Sequence, residues 1–147
     1  MDVVDERLAE LDDAVAELVA LARGLPDPDV VASGEWTARD VVAHLVFWHE
    51  SFARNVADLA AGRRPTQLAG TYAALAARTR AELGDVGIEA LVRRLLAAQA
   101  VIRRHVRDPG VDLIPYRRGS RPYPPDEHLV VVRDHVQAHG RELARAR

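Results

Sequence analysis

The sequence predicts an all-α fold: a four-helix bundle with one extra helix between its second and third long helices. Three observations predict it. Apolar residues recur at helical period along four long stretches. Caps and breakers fall at the ends of those stretches. No stretch alternates apolar and polar residues as a half-buried strand does, and "LVVV" near the C-terminus, though β-rich, sits inside a capped helical window.

In the first helix Val4, Leu8, Leu11, Val15, Leu18 and Ala22 fall on one stripe, and "RGLPDPD" ends it with Gly24, Pro26 and Pro28. The second starts at "GEWTARD", where Thr37 is the N-cap and Asp40 completes a capping box. Trp36 precedes the cap and can pack back on the helix as a hydrophobic staple. The inward stripe is Val41, His44, Leu45, Trp48 and Phe52, and the helix runs to Gly62. "TQLAGTYAALAARTRAELG" is the Ala-rich extra helix, ending at Gly84. The next long helix buries Ile88, Leu91, Leu95, Ala98 and Ile102 and stops at Pro109 and Gly110. "VDLIPYRRGSRPYPP" has no helical period and is an ordered loop. The last helix starts near Pro125, with Asp126 and Glu127 suited to its positive N-terminal end.

The 147 residues are expected to form one domain, 1–147. The opening "MDVVDERLAELDDAV" is neither a secretory signal nor a transit sequence, and no apolar run is long enough to span a bilayer, so a soluble cytoplasmic protein is expected. A net charge of -2 gives no pull towards nucleic acid or an acidic membrane. All 20 basic residues are Arg, and a GC-rich genome is one hypothesis for that. Cysteine is absent, so the chain has no thiol nucleophile and no Cys-type zinc site. Any metal must be held by His and carboxylate. The Ala-rich faces of the first and extra helices can support a homodimer, though nothing demands one.

The chemistry concentrates in histidine. In "RDHVQAHGREL", His135 and His139 are four residues apart and share a helix face. That spacing suits a metal, but taken alone it suits two solvated or hydrogen-bonded side chains better. His44 lies on the apolar stripe of the second helix, where a lone His is usually a core residue with one polar partner. If the second and last helices face each other, the three imidazoles converge on one divalent ion, Zn, Ni, Co or Fe, with a coordination position left open. His49, five residues after His44, turns off that face towards the surface. His128 shares the stripe of His135 two turns away, at a pocket mouth. Trp48 and Phe52 offer an apolar wall. Tyr116 and Tyr123 can donate hydrogen bonds from a lid, and Arg121, with Arg117 and Arg118, can meet a carboxylate. Glu142, or Glu50, is a general-base candidate.

These residues resemble a known superfamily. "EWTARDVVAHLVFWHE" and "HVQAH" are similar to the two motifs of the DinB-like superfamily, and the likeness spans nearly the whole chain. "IPYRRGSRPYPPDEHL" looks most like the ClbS/DfsB branch; mycothiol- and bacillithiol-dependent transferases and the mycothiol-dependent maleylpyruvate isomerase belong to the same superfamily. The resemblance implies His44, His135 and His139 as metal ligands. It departs where "HGREL" stands in place of His-Arg-Gly-Gln after the last ligand.

Three functional readings follow. The first is a metalloenzyme, hydrolase or thiol transferase/isomerase, acting on a small electrophile with water or an external thiol such as mycothiol. The second, implied by ClbS, is a self-resistance protein that binds or opens a reactive natural product without catalytic metal. The third is a scaffold whose interior is fully packed.

Overall fold

The computed structural model describes residues 2–146. Its order is α1 (Val3–Arg23), β1 (Val31–Ser33), β2 (Trp36–Thr37), α2 (Ala38–Ala60), α3 (Tyr72–Leu83), α4 (Ile88–His105) and α5 (Pro125–Arg145). The long helices pair as α2 with α4 and α1 with α5, and contacts of α1 with α4 and α2 with α5 close the ring. The extra helix, α3, lies against α2. The all-α bundle predicted from periodicity is the observed fold. Among the described residues no helix is long and apolar enough to cross a membrane.

Local chemistry explains the ends. Asp2 caps α1 and Thr37 caps α2, each in a reciprocal box with the residue three positions on, Asp5 and Asp40. The extra helix starts at Tyr72, later than expected. Gly70 takes φ +113°, which excludes it from a helix, and Thr71 supplies the cap. A second difference is the hairpin of β1 and β2, in which Val31 pairs with Thr37 and Ser33 with Trp36 around Gly34 at φ +56°. At five residues of strand it is too short to show an alternating pattern. Ile114 and Tyr123 form an isolated bridge that folds the Pro-rich loop back on itself.

The core runs along the bundle axis through Leu11, Leu18, Leu45, Leu91, Leu95 and Leu143, each at most 1% exposed. A Leu buried this way contributes roughly 1.5–3 kcal/mol over leaving it in water. This core fixes the α2–α5 spacing on which the site depends.

Candidate metal centre

His44 projects from the second turn of α2 towards His135 and His139 on α5. One ligand atom from each of the three lies within 4.8 Å of the others. The Nε2 atoms of His44 and His135 face each other at 3.0 Å. The ring centroids are 5.0 Å (His44–His135), 4.9 Å (His44–His139) and 4.7 Å (His135–His139) apart. His139 donates from Nδ1 to Glu142 Oε2 at 3.0 Å, which leaves its Nε2 as a lone pair.

Burial, and then the neighbouring rings of His135 and His139, push the pKa of His44 down to about 3. Burial, then His139 and His49, push His135 down to about 4. Both are therefore neutral at pH 7. A single proton between the Nε2 atoms of His44 and His135 satisfies that pair as one hydrogen bond but leaves Nε2 of His139 without a partner. A divalent ion can take a ring nitrogen from all three, so the donor set fits one, and three imidazole nitrogens suit Zn, Ni, Co or Fe.

The surroundings hold the rings in place. The Trp36 ring lies 5.0 Å from His44, and Arg80 lies over Trp36 with its guanidinium carbon 5.9 Å from the ring centre. The centre has two approaches. An outer groove of about 380 Å³ is bounded by Ser33, Gly34, Trp36, Arg80 and His139. An inner void of about 20 Å³ reaches His135 from the other side, walled by Trp48, Phe52, Tyr116, His49 and His128.

The sequence family described as the mycothiol maleylpyruvate isomerase N-terminal domain matches residues 8–147. The chain belongs to this family. No curated protein matches the sequence. The crystal structure of the mycothiol-dependent maleylpyruvate isomerase matches with a TM-score of 0.75 at 15% identity, over 95% of this chain and 60% of that one. A histidine-to-alanine mutant of that isomerase matches with a TM-score of 0.74 at 13% identity, again over 95% of this chain and 60% of that one. The chain thus spans 60% of the length of these structures, and at such identity they establish the fold alone. The match falls on the isomerase family of the DinB-like superfamily and does not single out the ClbS/DfsB branch.

In this isomerase-family bundle the residues singled out from the sequence separate into two groups. His44, His135 and His139 converge, with Glu142 on His139. Trp48, Phe52, Tyr116 and His128 line the void. Tyr116 stacks on Trp48 at 5.2 Å and 23°, and burial, with Tyr72 and Tyr123 near it, raises its phenol, so it stays protonated. Tyr123 sits behind, 5.7 Å from the His128 ring. Arg121 is not brought to the centre. It is exposed, pairs with Glu127 at 3.0 Å and lies over the Tyr123 ring.

Two expectations are corrected. His128 is not at a pocket mouth but 1% exposed, because the loop carrying Tyr116 and Tyr123 folds over it. His49 is not on the surface but 2% exposed, because α4 covers that side of α2 and supplies Gln99 as its partner. Gln99 and Asp12, which complete that contact, were not singled out from the sequence. A polar Gln one position from Ala98 on a buried face was the available signal.

Proposed function

We propose that the bundle is the metal- and thiol-handling part of an enzyme in which an external low-molecular-weight thiol, mycothiol first among candidates, acts on a small electrophile. The observation that carries this is the convergence of three imidazoles at the junction of an outer groove and an inner void. Family membership supports the thiol, and the absence of cysteine requires that it come from outside the chain.

His44, His135 and His139 would hold the divalent ion, which when bound makes a thiol or water that reaches it acidic enough to be a nucleophile near pH 7. The chain's own residues do the rest. Glu142 accepts from His139 and fixes that ring, an orienting role that its geometry favours over the general-base role. Trp48, Phe52 and Tyr116 exclude water beside His135. Tyr116, protonated, can donate a hydrogen bond to an oxygen on the electrophile. Isomerisation, thiol transfer and hydrolysis all use these parts, and the family description supports isomerisation as the first to assay.

Elemental analysis of the purified wild type beside His139→Ala tests the proposal. Near one equivalent of Zn, Ni or Fe in the wild type, lost in the variant, is expected. No metal in the wild type, even after incubation with each ion, overturns it and leaves the metal-free protective reading.

A further inference from the structure

The inner void is backed by a buried polar chain that the three-His centre does not use. His49 Nε2 lies 2.7 Å from Gln99 Oε1, and Gln99 donates from Nε2 to Asp12 Oδ1, also at 2.7 Å. Arg103 closes the chain from outside with a 2.6 Å hydrogen bond to the same carboxylate oxygen. Both His49 and Gln99 are 2% exposed. The far end sets the direction of the chain. A carboxylate only accepts, so the Gln99 amide nitrogen faces Asp12 and its carbonyl faces His49. His49 must then carry its proton on Nε2. Burial keeps the ring neutral, so Nδ1 is a lone pair, and no hydrogen bond to it forms among the described residues.

His49 lines the void beside His135. His128 lines it too, and its Nδ1 is buried without a partner. The remaining walls combine the rings of Trp48, Phe52 and Tyr116 with aliphatic side chains and the polar Ser51 and Asn55. Asp12 is on α1, Gln99 on α4 and His49 on α2, so the chain also ties three helices together. Apolar side chains of the same size would tie them at least as well, because a satisfied buried hydrogen bond adds little net stability. Helix register therefore does not explain why a ring with a free acceptor lines a void.

We propose that this void is a subsite for a hydrogen-bond-donating group of the electrophile (a hydroxyl, an enol or an amide N–H), with His49 Nδ1 as its acceptor. Its catalytic meaning rests on the proposed function, since a ligand so held has its neighbouring carbon beside His135. The void now has room for about one water-sized group. A larger ligand enters by displacing the Tyr116 ring from Trp48. His49 is then a specificity-determining residue, and Gln99 and Asp12 position it.

The test compares phenol with anisole, two aromatic probes that differ in the ability to donate, on the protein as purified with its metal content measured in the same samples. His49→Gln keeps an amide at the Nε2 position, and so the bond to Gln99, but has no acceptor at Nδ1. His49→Asn places an amide oxygen near the Nδ1 position. Phenol should bind the wild type about tenfold more tightly than anisole, the worth of one neutral hydrogen bond. The preference should vanish in His49→Gln and return in part in His49→Asn. In the wild type phenol should also move the ¹⁵N resonance of His49 Nδ1. No binding of phenol, equal binding of the two probes, a preference that survives in His49→Gln, or an unmoved Nδ1 resonance each overturns the proposal. The probes need no ion, so failure of the metal reading would show separately, in the metal content.

Discussion

Removing the Glu142 carboxylate should weaken metal binding without touching a ligand. His139 reaches the centre with Nε2 only because its Nδ1–H is held by Glu142 Oε2 at 3.0 Å. The two side chains are 16% and 18% exposed, so solvent screens the bond only in part. A hydrogen bond to a charged group in such a place contributes about 1.5–3 kcal/mol. If that orientation energy is spent on the ion, the loss corresponds to about 10–100-fold in affinity, the range found when the hydrogen-bond partner of a metal-bound histidine is removed. Glu142→Gln keeps an oxygen that can accept from Nδ1–H but loses the charge, and should sit near the tenfold end. Glu142→Ala loses both and should sit near the hundredfold end. Competition with a chromophoric chelator for zinc, at constant pH, measures each Kd, and circular dichroism checks that each variant stays helical. An affinity unchanged in Glu142→Ala refutes the reasoning. So would equal losses in the two variants, because the oxygen that remains in Gln would then count for nothing.

Stability should fall with acid in a defined window. Burial depresses the pKa of His49 and of His128 to about 4 from the ordinary value of 6.5. Between those values the unfolded chain binds protons that the folded chain refuses, so each histidine costs about 1 kcal/mol of stability per pH unit as pH drops, and neither matters above pH 6.5. Urea unfolding of the metal-free protein at pH 7 and pH 5 measures this, and an unmoved midpoint would contradict the burial of neutral rings. Thr37→Ala removes the cap of α2 that orients the turn below His44, and should cost about 1 kcal/mol, read as a lower thermal midpoint. Gly110→Ala should destabilise by about 1–3 kcal/mol, because a Cβ there would stand 2.9 Å from the Leu59 carbonyl oxygen, which is backbone and cannot swing aside.

What could be read in the sequence was local. The Thr37–Asp40 box is legible because both partners lie within one turn. The His135–His139 pair is legible because helical spacing puts four-apart residues together. Their meeting with His44 needed α2 to face α5, which a helical stripe suggests but cannot fix. His49 was misplaced for a related reason. A single amphipathic stripe leaves the rest of a helix for solvent, but α2 touches α3, α4 and α5 at once, so a residue well off the stripe is still interior. The Asp12–Gln99–His49 chain was out of reach because its members are 37 and 50 residues or more apart in sequence and join only through packing. The pairing of Arg121 with Glu127, six residues on, was also not legible, because a loop has no fixed spacing that brings two side chains together.

The placement of the imidazoles has a consequence for self-damage. The chain has neither cysteine nor lysine, so the side chains most readily alkylated by reactive carbon are missing from its surface. What the exterior offers instead is arginine, always protonated, and carboxylates, which are poor nucleophiles. Of the six histidines, His44, His49, His128 and His135 are gathered within the bundle with His139 beside them at the outer groove, and His105 alone stands apart at the end of α4. An enzyme of the proposed kind could release a reactive compound many times over and meet it again on its outer face with little there to react.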